Sequence, residues 1–239
     1  MLTKIGWSAA LSFLLCLGAA PARAAMEVVA GVVIVLKGAP SLKRRGAADM
    51  KPLKLNQYVN EGDQIVTKTG EFTSIAFIGG AEVRISEGST FVVETGGGGD
   101  KPTTLFTEIG KAWTRLLSGQ SGINIRTPTA VAAVRGTEAD VESGASTTVK
   151  VYEGHVDVYN DHGKQALTAG QMTHVASAQA APEPPKTMTA ADKQNWQDAL
   201  KGKNVEKQIL RLQREAARHR VLDIKTKDGK HIKASLQQK

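Results

Sequence analysis

The sequence predicts a mainly β fold followed by a short, basic, helical C-terminal extension. Between residues 27 and 176, short runs of β-branched and other apolar residues are separated by glycines. Apolar residues alternate within several runs, as in Val149 and Val151. This period of two indicates half-buried strands, and glycine pairs between the runs are typical of hairpin turns. The predicted strands are Val28–Leu36, Gln64–Val66, Ser74–Ile78, Glu82–Ile85, Thr90–Val93, Ile123–Ile125, Thr147–Tyr152 and His155–Tyr159.

The N-terminus has the pattern of a cleavable secretory signal. Lys4 precedes an apolar run over residues 5–20, and Ala22-Arg23-Ala24 supplies small residues two apart. The run is shorter than the roughly 20 residues that span a bilayer. We therefore expect cleavage after Ala24 and a periplasmic or secreted protein with no transmembrane span after cleavage.

Cys16 is the only cysteine, and it lies inside this predicted signal. Leu15 precedes it where a lipoprotein signal would place a small residue, so a lipid anchor is not expected. The mature chain would then contain no disulfide, no thiolate nucleophile and no zinc-thiolate site.

The positive charge belongs to the C-terminal region. Residues 25–185 contain 15 lysines and arginines against 17 acidic residues, whereas residues 186–239 contain 14 against 6. For an exported protein, this distribution favours lipid headgroups, cell-wall polymers or acidic proteins over nucleic acid as anionic partners. A solvated basic tail with no specific partner is the alternative.

Composition divides the mature chain into three parts. Residues 25–178 are the predicted β domain, residues 179–188 an Ala- and Pro-rich linker, and residues 189–239 a basic tail. Within the β domain, Gly96–Gly99 followed by Pro102 predicts an exposed flexible loop.

Two helices and a hairpin are predicted in the tail. Thr189 is a candidate cap for a helix that ends near Gly202, and a second helix begins near Asn204. Asp228-Gly229 predicts a tight hairpin turn between two short strands. The predicted docking stripe is Trp196, Leu200, Ile209 and Leu212, and the basic face includes Arg211, Arg214 and Arg218. The alternatives are a helix packed on its own domain and a helix that contacts a partner.

Four spaced motifs resemble those of FecR domains. They are a Gly-Asp segment ending in threonine, a Thr-Pro segment followed by Val-Arg-Gly-Thr, a Glu-Gly turn and a Gly-Gln turn, spread over about residues 29–175. The chain departs from the family pattern at Gly79-Gly80-Ala81. The residues that carry the motifs are Gly62, Asp63, Thr67, Thr127, Pro128, Arg135, Gly136, Thr137, Glu153, Gly154, Gly170 and Gln171.

The resemblance implies a twisted β-solenoid or sandwich-like fold. From the residues themselves, the glycines and threonines of these motifs are interpreted as turns and corners. Arg135 is the charged residue expected to be partly buried, with Glu138 or Glu153 as candidate acceptors. A structural ion pair is favoured there over a ligand contact.

Catalytic motifs are absent from the sequence. It contains no nucleophile elbow, zinc-protease motif, EF-hand loop or phosphate-binding loop. The histidines form no helical metal pair, and Asp157, Asp161 and His162 are interpreted as a polar hairpin loop rather than a metal site. We therefore predict no cofactor, no metal and no enzyme, although an unrecognised enzyme with a polar pocket remains an alternative.

The leading hypothesis is a binding, scaffold or signalling module of the cell envelope that recognises a protein or glycan partner. Sigma-factor regulators of the family carry a cytoplasmic segment and a membrane span, which this chain is not expected to have. The alternative hypothesis is an anionic-polymer or membrane-surface binder that acts through the basic tail and is weakened by salt.

Overall fold

The structure of the chain is a computed structural model. It describes residues 28–97, 101–116, 122–135, 138–193, 196–218, 221–225 and 231–235. Several predicted features lie outside these ranges: the signal segment, Gly98, Gly99, Gly136, Thr137, the Asp228-Gly229 turn and the side chain of Arg218.

Short strands make up most of the described residues. The first nine are β1 Val29–Lys37, β2 Ser41–Lys43, β3 Met50–Pro52, β4 Tyr58–Asn60, β5 Gln64–Thr67, β6 Phe72–Phe77, β7 Ala81–Ile85, β8 Ser89–Thr95 and β9 Thr103–Leu116. The next eight are β10 Ile123–Arg126, β11 Val131–Val134, β12 Glu138–Ser143, β13 Thr147–Glu153, β14 His155–Asn160, β15 Gly163–Thr168, β16 Gln171–Val175 and β17 Lys186–Thr187. All eight strands predicted from the sequence are present, and the prediction of a mainly β fold is confirmed.

The strands form two sheets that share β9. Sheet A has the order β4-β1-β6-β7-β9-β12-β13-β16-β17, and sheet B has the order β3-β2-β5-β8-β9-β10-β11-β14-β15. Residues up to Ile109 of β9 pair in sheet B, and residues from Gly110 pair in sheet A. Gly110 has a φ of 136°, which is favourable only for glycine, and it lies where the strand passes between sheets.

The inward side chains of both sheets form one apolar core. Ile75, Val83 and Val141 of sheet A join Phe91 and Ile125 of sheet B in this cluster, and all five are fully buried. Because side chains alternate along a strand, the neighbouring residues must face away from this core. The outward face of sheet A is therefore free to carry a second, polar set of side chains.

The glycine loop differs from its prediction. Gly96 is buried, and its amide donates to Oε1 of Glu61 over 3.0 Å. A Cβ at this position would collide with Ala30 of β1. Gly96 therefore allows two backbones to approach closely, and the prediction that the loop is exposed is wrong for this residue.

The Ala- and Pro-rich segment packs along the sheets. Pro182 is buried, the amide of Glu183 donates to the carbonyl of His174, and β17 pairs with β16 at the edge of sheet A. Asn160 Nδ2 also donates to the carbonyl of Ala180 over 2.7 Å. These contacts fix the direction in which the chain leaves the β domain.

The first tail helix is shorter than predicted. Thr189 does not cap a helix, because its amide and hydroxyl donate to Asp192 in a local turn at 2.8 and 2.6 Å. Only a 3-10 helix follows, Trp196–Leu200. Such local side-chain hydrogen bonds compete with helical backbone hydrogen bonds, which explains the difference.

The second tail helix agrees with its prediction. Helix α1 spans Val205–Arg218 and is followed by two antiparallel strands, β18 Val221–Lys225 and β19 His231–Ser235. The buried stripe of Val205, Ile209 and Leu212 packs on Val32 and Ala76 of sheet A. Gln213 Nε2 donates to the carbonyl of Ile78 over 2.8 Å. The tail therefore docks on its own β domain. Within the described residues, no helix is both long and apolar enough to cross a membrane.

Ile209→Ala should weaken this docking much more than Leu210→Ala. Ile209 is 1% exposed and Leu210 is 50% exposed on adjacent positions of α1. Truncation of a buried isoleucine costs about 2–4 kcal/mol, whereas an exposed substitution usually costs less than about 0.5 kcal/mol. Amide hydrogen exchange over α1 would measure the difference, and equal exchange in the two variants would contradict the docking.

Candidate functional site: a covered polar row on sheet A

A row of polar side chains crosses the outward face of sheet A. One residue from each of five neighbouring strands lies in register with the next. From β6 to β13, this polar row consists of Ser74, Arg84, Trp113, Asp140 and Lys150. All five are buried, because the tail covers this face.

Glu82 forms ion pairs with two arginines, Arg84 of the polar row and the neighbouring Arg115. Its Oε1 accepts from Arg84 Nε at 2.8 Å and Ser74 Oγ at 3.1 Å, and its Oε2 accepts from Arg115 at 3.0 Å. Glu82 and Arg84 are 1% and 3% exposed. The Arg84 guanidinium also lies 4.0 Å from the centroid of the Trp113 ring. A buried guanidinium needs such acceptors and a flat aromatic face to offset its lost hydration.

Two cations of the β domain bind main-chain carbonyls of the tail. Arg84 donates to the carbonyl of Gln197 over 2.8 Å. Lys150 Nζ donates to the carbonyl of Asp192 over 2.8 Å. The polar row therefore binds a peptide segment of this chain mainly through its backbone.

Asp140 lies beneath the same segment. It is 1% exposed, and its Oδ2 accepts from Tyr152 Oη at 2.8 Å. Burial raises the pKa of Asp140 above its ordinary value, and the Tyr152 hydrogen bond and the Lys111 charge only partly oppose this effect. Trp196 Nε1 is near enough to lower this pKa a little, but its geometry falls short of a hydrogen bond.

Several buried polar atoms at this contact have no hydrogen-bond partner among the described residues. They are Trp113 Nε1, Arg115 Nε, Asp140 Oδ1, Trp196 Nε1 and Gln197 Oε1. Each such atom costs about 1–3 kcal/mol relative to a hydrogen-bonded one. The tail therefore covers the polar row without matching it fully.

Two clefts border the docked tail. One, of about 250 Å³, lies between the 3-10 helix and Arg84, Trp113 and Arg115 of sheet A. The other, of about 370 Å³, lies between α1 and the loop around Asn56. In the second, Tyr58 Oη donates to Glu215, and this hydrogen bond raises the pKa of Tyr58.

Asp140→Asn should stabilise the chain at neutral pH. Because the folded pKa of Asp140 is raised, its ionisation opposes folding above the ordinary value of 3.8, and the asparagine cannot ionise. The wild-type chain should lose stability relative to the variant as pH rises from 3.8 to the folded pKa, and the pH-dependent part of this difference should disappear below pH 3.8. Urea denaturation of both chains from pH 3.5 to pH 8 would measure it, and a stability gain that is constant with pH would contradict the assignment.

The residues that sequence motifs singled out lie at separate turns. Asp63 is fully buried and accepts from the amide of Asn60 at 2.7 Å and from Arg44 at 2.6 Å. Thr67 donates to the carbonyl of Ser86 over 2.6 Å. These contacts stabilise individual corners of the fold.

The remaining motif residues behave in the same way. Thr127 Oγ1 donates to the carbonyl of Ala130 and contacts Thr147 Oγ1 at 2.7 Å. The Gln171 side chain accepts from the amide of Thr168, and Gly170, like Gly62 and Gly154, has a positive φ. Pro128 and Glu153 are exposed, and the motif residues that the structure describes lie at separate turns.

Arg135 differs from its prediction in the burial of its side chain. Its side chain is exposed, so the prediction of partial burial is wrong. Among the residues that the structure describes, the arginine that is buried is Arg84, in the middle of β7. The sequence contained a signal for it, since Glu82 and Arg84 alternate with Ala81, Val83 and Ile85, but this pattern normally indicates a solvated face.

No group of metal-ligating side chains occurs among the described residues. Asp157 instead contacts Lys164 Nζ at 2.9 Å and His155 Nε2 at 3.1 Å. The Lys164 hydrogen bond lowers the pKa of Asp157. This part of the hairpin is a surface ion-pair network.

Comparisons with known proteins identify the family of the β domain. Residues 63–157 match the sequence model of the family described as "FecR protein". Two crystal structures of a protein from Parabacteroides distasonis, described as a "putative anti-sigma factor", are similar at 20% identity, with TM-scores of 0.46 and 0.47. The match covers 53% of this chain and 60% of each of those chains, so this chain spans only part of their length. No curated protein matches.

The fold defines a mainly β domain of two sheets that share β9. Residues 63–157 belong to a FecR domain. The family resemblance inferred from the spaced motifs is thereby confirmed, and the coarse functional class is a signalling or regulatory module. The two structural matches are too distant to add a functional argument.

Proposed function

We propose that this chain is a non-enzymatic regulatory module of the cell envelope that recognises a segment of a partner protein on the polar row of sheet A. In the structure, the described tail residues on either side of positions 194–195 contact that row. The observation that carries the proposal is the pair of hydrogen bonds from Arg84 and Lys150 to main-chain carbonyls of the tail.

Backbone contacts favour a protein segment as the partner. Main-chain carbonyls occur in every peptide, so cations spaced to bind two of them on one segment could bind another segment in the same way. The two bound carbonyls belong to Asp192 and Gln197. A partner peptide that binds both cations would therefore be at least as long as the segment between these residues.

Incomplete hydrogen bonding of the tail supports an exchange with a partner. Buried polar atoms without hydrogen-bond partners, such as Asp140 Oδ1 and Gln197 Oε1, weaken the tail contact. A partner segment that supplies a hydrogen bond to Asp140 Oδ1, and leaves Gln197 free to bind water, would bind in place of the tail with a favourable difference in free energy. The secreted or periplasmic location is part of this proposal and rests on the N-terminal pattern.

Pull-down from an envelope extract tests the proposal with three full-length chains. Ile209→Ala, which loosens the tail, should capture more of one protein than the wild-type chain does. Adding Lys150→Met to that variant should abolish the capture, because it removes a row cation that binds carbonyls. Adding Lys164→Met instead should have no effect, since Lys164 lies on sheet B and its side chain is 60% exposed. Equal capture by the two double variants would overturn the proposal.

Binding of anionic polymers or membranes through the tail is the second candidate. Its support is the outward face of α1, where Lys207, Arg211 and Arg214 are exposed while the apolar stripe is used in docking. Arg211 is partly neutralised by Glu215 at 2.9 Å. Lys207→Gln combined with Arg214→Gln should release anionic vesicles from the chain, and raised salt should do the same. For the β domain, a glycan is the other partner class that we propose.

A further inference from the structure

The tail presents one aromatic side chain to charged residues of sheet A. Trp196 is half-buried, and the Lys111 ammonium lies 5.9 Å from the centroid of its ring. The carboxylate of Asp140 lies close to the indole nitrogen of Trp196. Aromatic faces attract cations because the face of the ring carries partial negative charge. The indole of Trp196 therefore lies near both a cation and a carboxylate.

The Trp196 indole and the Asp140 carboxylate have complementary polar atoms. Trp196 Nε1 is a donor and Asp140 Oδ1 is an acceptor, and both are buried without a hydrogen-bond partner among the described residues. The two atoms are not aligned for a hydrogen bond, and Arg84 holds the next carbonyl of the tail, that of Gln197. A separate segment without the connection to the β domain is free to align its donor with Asp140.

The surroundings of Asp140 favour a neutral donor over a cationic one. The charges of Lys111 and Lys150 already act on Asp140, and Tyr152 donates to its Oδ2 at 2.8 Å. A further cation would be repelled by the two lysines and would lose its hydration on burial. An indole N–H has neither cost, and its ring offers an aromatic face to Lys111.

A buried leucine follows the tryptophan four positions later in the tail. Leu200 is 1% exposed, whereas Asp198 between the two residues is exposed. The 3-10 helix Trp196–Leu200 packs against β6 of sheet A. Full burial of a leucine side chain contributes about 1.5–3 kcal/mol. The aromatic and the aliphatic side chain are therefore the two apolar contacts that this helix supplies.

We propose that the polar row selects protein segments that carry a tryptophan followed four positions later by a leucine or a similar aliphatic residue. This inference rests on the proposed function, because it takes the docked tail as a copy of the chemistry of the partner segment. In the bound segment, Asp140 accepts from the indole N–H, and Lys111 lies over the ring. Arg84 binds the carbonyl of the residue after the tryptophan, as it binds Gln197 in the tail.

Peptide binding to the full-length chain tests the inference. The chain carries Ile209→Ala and Trp196→Ala, which loosen the tail and remove its indole, and both positions lie outside the apolar core between the sheets. A fluorescent peptide with the sequence of residues 189–200 should bind in a saturable way, measured by fluorescence anisotropy. A peptide with 1-methyltryptophan at position 196 keeps the ring but has no N–H. It should bind about tenfold more weakly, since a lost hydrogen bond to a buried acceptor has an effect of this size.

Two further peptides complete the comparison. Leu200→Ala should weaken binding by at least about tenfold, because it removes a side chain that is buried in the tail contact. Lys193→Met is the matched control, because Lys193 is exposed, and it should leave the affinity unchanged.

The outcomes distinguish this inference from the proposed function. Binding of the unmodified peptide that is lost when the chain also carries Lys150→Met would place the peptide on the polar row. Equal affinity of the 1-methyltryptophan peptide, or of Leu200→Ala, would then overturn the inference and leave the proposed function standing. Absence of binding by the unmodified peptide, or binding unaffected by Lys150→Met, would contradict the proposed function and this inference together.

Discussion

Glu82→Gln is expected to lower the free energy of unfolding by about 3–5 kcal/mol, because it leaves a buried arginine without its counter-charge. Glu82 accepts hydrogen bonds from Arg84, Arg115 and Ser74, and Arg84 is 3% exposed. Glutamine keeps the shape of the side chain but replaces one acceptor oxygen with a donor that faces these cations. Chemical denaturation would measure the loss.

Glu142→Gln provides the matched control. Glu142 lies on the same face of sheet A, but its side chain is 60% exposed and its contact with Lys111 is 3.7 Å long. Exposed ion pairs of this kind contribute between about 0 and 1 kcal/mol. If the two variants lose similar stability, the buried cluster around Glu82 does not hold the arginine as described.

Asp63→Ala should cost about 3 kcal/mol of stability. Asp63 is fully buried and accepts from the amides of Asn60 and Arg45 and from the Arg44 guanidinium. Removing the carboxylate leaves buried donors without an acceptor, and hydrogen bonds to charged groups are among the stronger ones. The midpoint of urea denaturation would report the change.

Asp49→Ala is the matched control for Asp63→Ala, because Asp49 is an exposed aspartate. Asp49 is exposed in the segment between β2 and β3, so Asp49→Ala should change stability by less than about 0.5 kcal/mol. A small effect of Asp63→Ala would mean that the Gly-Asp motif serves binding instead of the fold. Retained partner capture by the destabilised chain would support the structural role.

The apolar patterns of the sequence were sufficient for the fold class. Alternation at Val83 and Ile85 predicts the strand that the structure contains, and the spacing of Val205, Ile209 and Leu212 predicts the buried stripe of α1. Both follow from local geometry, since a strand repeats every two residues and a helix every 3.6. The FecR resemblance rested on turn motifs, which are equally local.

The candidate site was not predictable in this way. A glutamate and an arginine at alternate positions of β7 look like a solvated face, and only the docked tail makes Glu82 and Arg84 a buried ion pair. Partial burial was instead predicted for Arg135, from its place before Gly136-Thr137, and its side chain is exposed. Burial of an outward-facing polar residue depends on a segment more than a hundred positions away along the chain.

The sequence by itself determined the mainly β fold class, eight of the strands, the second tail helix and the FecR resemblance of the β domain, because each depends on patterns among residues close in the chain. The tertiary structure decided the shared strand β9, the short 3-10 helix and the covering of the polar row. These features depend on which distant surfaces meet, and period-two patterning specifies that a face is polar without specifying what packs against it.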